Sequence, residues 1–453
     1  MPNIDIINHY INNLLFTVSR PRIAEILSSS VNIENIKKAD TATKLMSLGA
    51  LFTTGKFDEC IQLADKLDFS EITDEDSLLL VLILFSKFYE HGLVGHYNAN
   101  SLKHLLTAIC PGALLAHKQF KEPFSPPTLI KLDYSHDISS SVSGAIFTGE
   151  FTLGPNSRKS EIGYRIKKAL ISQGWAVSIF PVTDVRGYSS VNIKDFALID
   201  VFAFQLLEVE DICNILSLLR RSFRKIILFD ADVWAGRFDD MLRAISSHID
   251  YIWGFTADWR LIDEPVFKGR SILFPNFGGF DHLEKIITAP LDWNSCTFNF
   301  TGAVQSYNLN RIYWLLEIIH RNLPLKIKIT NPEIDDGLDP ASSQQMYAQV
   351  VAATHAAINL TTRTDGSRIV TGRSLEVISL NRLLIQENCP AFNRYFVEGE
   401  HFLEFSDTDE LDTIIEFLGS HPKTAQKVCS LGHRFYLDRY SCKKLVEHFQ
   451  TFL

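Results

Sequence analysis

From residue 145 onward the chain alternates short, nearly continuous apolar runs with longer amphipathic stretches, and this alternation constrains the fold more than any other feature. A run with no polar alternation makes a strand buried on both faces, and a helix after each strand brings the chain back to a parallel neighbour. Strands are predicted over 145–148, 176–180, 198–204, 225–229, 251–255 and 271–274, with helices over 157–173, 209–223 and 238–248. The pattern then restarts, with strands at 297–301, 325–330, 356–361 and 383–386 and helices at 309–321, 342–354 and 373–380. The fold class is therefore α/β, with two Rossmann-like lobes at 144–290 and 291–453. If the lobes face each other, a cleft forms between the carboxyl ends of their sheets, where such sheets bind ligands.

The part before the lobes has a different character. Over 1–120 apolar residues recur at helical spacing, with Gly, Asn and Ser at the breaks, so an all-α domain is expected there. Residues 45–67 resemble one tetratricopeptide hairpin, turning at Thr54-Gly55-Lys56, although no second copy follows at the family's period. An ordinary antiparallel helix pair accounts for the same residues. The segment 121–143 is rich in Pro and Ser and reads as a linker.

Charge and cysteine usage narrow the function classes. Against 44 basic residues stand 53 acidic ones, a formal charge of −9, which disfavours a protein whose main task is neutralising nucleic-acid phosphates. The seven cysteines form no CxxC pair, and an odd, scattered set fits reduced thiols in the cytoplasm. The first residues lack a basic start, a long apolar run and a small-residue cleavage site, so no secretory signal is expected. The longest apolar run, 78–85, is shorter than the ~20 residues a bilayer span needs, so no transmembrane segment is expected.

The chemistry concentrates in NLTTRTDGSRIVTGRSLEVISLNRLLIQE, residues 359–387. A strand runs into a polar loop holding Arg363, Asp365, Gly366, Ser367, Arg368, Thr371 and Gly372, and a helix opens at about Arg373. Small and basic residues at a helix entrance suit an anion, because free backbone N–H groups and the positive end of the helix dipole converge there. Arg373 and Glu376 lie three residues apart and share a face, with Ser374 between them. An Arg there can take a pyrophosphate oxygen, while a carboxylate accepts two hydrogen bonds from a ribose diol. A solvated surface ion pair would use the same two residues.

From residue 371 to 441 the sequence resembles the carboxy-terminal nucleotide-binding lobe of GT-B glycosyltransferases, closest to the CgeB-like group of bacterial-type enzymes. The resemblance lies in Arg-x-x-Glu on a helix, a short strand, an acidic loop, an acidic helix, and a further helix after His421-Pro422. FNFTGAVQSYNLNRIYWLLEII, from Phe298, looks like the first strand, Gly loop and helix of that lobe, and ILFPNFGGFD, from Ile272, like the strand before the crossing between lobes. The resemblance implies that Glu376 binds the donor ribose, that Arg373 and Arg368 neutralise the diphosphate, and that Gly302 lets the backbone approach the leaving group. It also implies a final helix, 441–452, that crosses back onto the first lobe. The expected donor is a nucleotide sugar, UDP- or GDP-linked, with no cofactor and no metal required. Retaining members of the wider family carry a second Glu eight residues before the ribose Glu, where this chain has Arg368, so inversion is favoured.

A second constellation competes. KIILFDADVW, residues 225–234, ends an apolar strand in Asp230-Ala231-Asp232, the form of the metal-binding DxD of GT-A glycosyltransferases. Two carboxylates so spaced can hold Mg²⁺ or Mn²⁺ against a diphosphate. Asp at the wet end of a buried strand is also common for structural reasons alone. In the GT-B reading Asp230 or Asp232 faces the acceptor side, and either, or Glu150 just past the first strand, is a candidate base for the acceptor hydroxyl. A non-catalytic nucleotide-binding scaffold, and a hydrolase or epimerase on the same two lobes, are the remaining readings. The acceptor is a glycan, glycolipid or protein. The helical domain either recognises it or mediates self-association.

Overall fold

The computed structural model describes residues 141–453, apart from 149–158, 188–191, 206, 231–237, 255–263, 276–278, 282, 284–289, 303–310, 312–313, 316, 319–320, 322, 330–339 and 363–367, together with isolated positions within 43–59 and 129–134. The helical domain expected over 1–120, with its tetratricopeptide-like hairpin, and the linker expected over 121–143 lie outside the described residues apart from those isolated positions and 141–143, where Ser143 already opens the first strand.

The first sheet contains β1 (Ser143–Thr148), β2 (Ala176–Pro181), β3 (Lys194–Asp200), β4 (Phe223–Asp230), β5 (Tyr251–Gly254) and β6 (Ser271–Leu273), in the order β2-β1-β3-β4-β5-β6 and all parallel. Helices α1 (Lys159–Ser172), α2 (Val209–Leu219) and α3 (Asp239–Ile245) make the crossings between strands. Successive strand residues serve opposite faces. Ala145, Phe147, Ala197, Ile199, Ile226 and Leu228 pack with Ile212 and Leu216 of α2 and Leu242 of α3. Ile146, Phe196, Leu198, Ile227 and Phe229 face the other way, onto Ile166, Ala169 and Leu170 of α1.

The second sheet holds β7 (Phe298–Gly302), β8 (Leu325–Ile329), β9 (Ala356–Asn359), β10 (Leu383–Glu387) and β11 (Leu403–Phe405), ordered β11-β10-β9-β7-β8 and again all parallel. Its helices are α4 (Pro340–Ala352), α5 (Gly372–Ser379), α6 (Thr408–Ser420) and α7 (Pro422–Arg439). Arg311, Trp314, Leu315, Glu317 and Ile318 are helical, within the stretch predicted after β7. Two doubly wound parallel lobes are what the alternating pattern predicts.

The last helix, α8 (Cys442–Gln450), belongs to neither layer of the second lobe. Its Phe449 ring sits 5.4 Å from Phe196, 5.7 Å from Trp253 and 6.0 Å from Trp175, all residues of the first lobe. Leu445, Val446 and Phe449 thus cover the α1 face of the first sheet. Asp281, on the segment joining the lobes, accepts the Cys442 backbone N–H at 2.7 Å and pins the start of this helix. The turn before Asp281 is fixed too. Gly279 has φ of +42°, and a Cβ there would come 2.3 Å from the Tyr436 hydroxyl of α7. Phe280 N–H donates to the Ser379 hydroxyl of α5 at 3.2 Å.

Three predicted boundaries need correction. The strand predicted over 198–204 runs from Lys194 to Asp200, because the Asp200 carboxylate accepts the Phe202 N–H at 3.0 Å and turns Val201–Phe204 into a 3₁₀ helix. The helix predicted over 209–223 stops at Leu219, since Phe223 already pairs with Lys194 as the first residue of β4. The strand predicted to reach residue 361 ends at Asn359, where the next amides leave the ladder for a carboxylate, described below.

Candidate functional site

In the second sheet β7 lies between β8 and β9, so the crossings leave it in opposite directions. A crevice opens at such a reversal beyond the carboxyl ends of the strands. Here those ends are Gly302 of β7 and Asn359 of β9. Alpha-helix α5 starts beside them, with Thr371 as its N-cap residue in an extended conformation and no side chain capping its first amides. Its entrance is held to the sheet by Asn359, whose amide nitrogen lies 2.9 Å from the Thr371 hydroxyl, 3.0 Å from the Ser374 hydroxyl and 3.0 Å from Gln386 Oε1.

The Arg373 guanidinium lies directly on the α-carbon of Gly302. A Cβ at Gly302 would meet Nη2 at 2.3 Å and Nη1 at 2.6 Å, so any larger residue expels the arginine head. Arg373 also stands over the Phe300 ring, 5.4 Å from its centroid, and donates from Nε to the Tyr347 hydroxyl at 2.9 Å. Its Nη1 is buried and has no hydrogen-bond partner, and the same is true of the neighbouring Thr301 hydroxyl. A buried, unsatisfied guanidinium nitrogen is costly, and an anion satisfies it with a charge-assisted bond.

Glu376, one turn further along α5, is 8% exposed and accepts from Arg165 Nη1 at 2.5 Å. Arg165 comes from α1 of the first lobe and is itself 5% exposed. Its Nη2 donates to the Gly279 carbonyl at 3.1 Å, and the guanidinium lies 4.8 Å from the centroid of the Phe280 ring. Tyr347 of α4 stands between the two site residues, accepting from Arg373 at its hydroxyl and feeling the Glu376 carboxylate beside it. Burial pushes this phenol up to about 12, against the opposing pull of Arg373.

Beyond β10, Glu387 is 2% exposed and gathers the end of β9. It accepts the Thr361 and Thr362 amides on Oε2 at 2.7 and 2.8 Å, and the Trp314 indole N–H on Oε1 at 3.1 Å. The carboxylate thereby fixes the strand end from which the polar loop departs. Arg368, where the loop returns, bridges to Thr362 through the backbone and donates from Nη1 to the Asn388 side chain.

Gly302, Thr371, Gly372, Arg373, Ser374 and Glu376 thus come together at one corner of the second sheet, and the Arg368 guanidinium is turned toward Asn388. Glu150, Asp232, Arg363 and Asp365 lie outside the described residues. Asp230 is the last residue of β4, and its side chain lies outside them as well. The sequence reading missed Arg165, Tyr347, Asn359 and Glu387. Arg165 does leave a trace, as a charge beside Ile162, Ile166 and Ala169 on the apolar stripe of α1. Glu387 leaves one as a carboxylate closing the otherwise apolar strand LLIQE. Tyr347 leaves none.

Residues 311–451 match the family model described as glycosyl transferase-like, which spans the second lobe from the helix after β7 through α8. The second lobe thus carries the pattern of that family, on a chain with two parallel-sheet lobes. Among solved structures, the chain is similar to sucrose-phosphate synthase from Thermosynechococcus elongatus, with 9% identity, a TM-score of 0.46, and coverage of 68% of this chain and 98% of that one. HepE from Anabaena, solved with UDP and glucose, gives 10%, 0.47, 68% and 98% in the same order. An O-GlcNAc transferase mutant from Thermobaculum terrenum gives 11%, 0.36, 98% and 96%. No curated protein matches the sequence. Among the described residues, no helix is long and apolar enough to cross a membrane.

Proposed function

We propose that this protein transfers a glycosyl group from a nucleotide-linked sugar to an acceptor hydroxyl, with inversion and without a metal. The observation that carries the reading is the Arg373 guanidinium seated on Gly302 at the sheet reversal, with Nη1 buried and unpaired beside the uncapped start of α5. The glycosyl transferase-like match over the same lobe supports it.

In this reading Arg373 and the first amides of α5 receive the donor diphosphate. Thr371 and Ser374 shape the helix entrance, and Glu376 takes the ribose diol. Arg363, Asp365 and Arg368 are the further donor-binding residues of this reading. The acceptor oxygen attacks the anomeric carbon as the bond from that carbon to the diphosphate oxygen breaks. The hydroxyl proton passes to a carboxylate base, Glu150 or one of Asp230 and Asp232, and the nucleoside diphosphate leaves. Negative charge grows on the departing oxygen, so a cation already fixed at that point lowers the barrier without reorganising. Arg368 stands in place of the second Glu of retaining relatives, which supports inversion.

The test incubates the protein with radiolabelled UDP- and GDP-sugars and cell extract, with and without EDTA. Transfer that survives EDTA is the expected result. Transfer lost with EDTA and restored by Mn²⁺ would move the donor to Asp230 and Asp232. A melting temperature that responds to none of UDP, GDP or CMP would leave a scaffold.

A further inference from the structure

Glu376 is already engaged. Its side chain is 10% exposed, and Oε1 is held by Arg165 at 2.5 Å. A ribose diol needs both carboxylate oxygens on an open side. It cannot reach Glu376 while the Arg165 head covers it.

We propose that Arg165 is an interlobe latch that competes with the donor's ribose for Glu376. This rests on the reading of the site as a nucleotide-sugar site. Binding exchanges the Arg165–Glu376 ion pair for two hydroxyl-to-carboxylate hydrogen bonds, with no covalent step. The released guanidinium is not stranded, because the Gly279 carbonyl at 3.1 Å and the face of Phe280 remain beside it. Both belong to the segment that joins the lobes, so donor binding loosens the contact between α1 and α5 where the lobes meet. Phe449 of α8 still seats on the first sheet, so the donor releases this one contact and not the lobes as a whole.

Binding of UDP and GDP, each compared with its 2′,3′-dideoxy analogue, is measured by isothermal calorimetry on the full chain. Arg165→Gln removes the charged competitor, so its Kd for UDP or GDP should fall about tenfold relative to wild type, the size of one charge-assisted hydrogen bond. The dideoxy analogues, which lack the diol, should show no such gain. A general structural role for Arg165 would not distinguish the two ligands. Should Arg165→Gln fail to fold, Arg165→Lys keeps the charge but loses the second arm to Gly279, and should give a smaller gain of about threefold. Unchanged or weaker binding in the variant overturns the latch, as does an equal gain for the dideoxy analogues. If no variant and no wild-type sample binds either nucleotide, the reading of the site itself falls, and the latch falls with it.

Discussion

Arg165 of α1 and Glu376 of α5 meet at 2.5 Å, so a carboxylate on the entrance helix of the second lobe is held by a cation from the first. Two further devices act at the same boundary. Asp281 accepts the Cys442 amide and thiol where α8 begins, and Phe449 of α8 lies among the tryptophans of the first sheet. The proposed donor corner and the lobe boundary are therefore one region of the molecule. In the proposed reading, a ligand at α5 displaces a contact between the two lobes.

Gly302→Ala should separate site geometry from folding. The new methyl would sit 2.3 Å from Arg373 Nη2, and the flexible arginine head yields before the buried strand does. Stability should change by only about 1–3 kcal/mol, as for other small overpacked sites. Nucleotide affinity should drop about tenfold or more, since the displaced guanidinium is the group proposed to meet the diphosphate. Arg373→Met, measured by the same calorimetry, should lose a similar factor. Normal nucleotide binding by both variants would remove Arg373 from the site.

Glu387→Ala tests the frame under the polar loop. The substitution strips acceptors from the Thr361 and Thr362 amides and the Trp314 indole at once, all of them in a buried setting. Unsatisfied buried donors cost about 1–3 kcal/mol each before water or relaxation compensates. A urea midpoint shift equivalent to about 3 kcal/mol is expected. Glu387→Gln keeps one acceptor oxygen and should lose less. Equal losses in the two variants would mean that the carboxylate charge, and neither the cavity nor the number of acceptors, sets the cost.

Acid should weaken the fold in a defined window. His355, His401 and His433 are each held below the usual imidazole value of 6.5, in every case chiefly by burial. The unfolded chain takes up these protons near pH 6.5, while the folded chain resists them until lower pH. Stability is therefore fully present above about 6.5 and is lost progressively as the pH falls below it. Asp281 acts in the opposite sense, because burial raises its carboxyl above 3.8 and the folded chain then binds that proton more tightly. Melting temperatures at pH 7.5 and 5.5 should differ in favour of the former. His433→Gln should shrink the difference, and a fold equally stable at both values would contradict the assignment.

The parallel strands were legible because their residues are apolar on both faces, as in Phe196 through Ile199, every one of them fully buried. Where an apolar run outlasts its strand, the pattern alone misleads. Val201 and Phe204 continue the greasy sequence of β3, yet the Asp200 carboxylate turns the chain before them. At the site, the shared face of Arg373 and Glu376 follows from helical spacing. The partner of Glu376 lies 211 positions away and depends on how two lobes dock, which no local period encodes. Arg165 shows only as a charge within an apolar stripe, and Tyr347 as one more aromatic of a helix. The roles of Gly302 and Glu387 are set by backbone proximity, which spacing does not report.

Phe449→Ala tests whether the two lobes unfold as one unit. The Phe449 ring comes from the chain's last helix, beyond the second lobe, yet its neighbours Trp175, Phe196 and Trp253 form the inner face of the first. Removing a buried phenyl group costs about 3–5 kcal/mol, because the surrounding wall relaxes only in part. Here the loss falls on the contact that seats α8 on the first sheet. Wild-type protein should show one cooperative calorimetric transition for the two lobes. The variant should show an earlier first-lobe transition, with faster amide exchange in β1 and β3 and little change in β9 and β10. Were the second sheet to lose protection equally, α8 would be stabilising its own lobe, and the coupling would have to run through Arg165 and Glu376 instead.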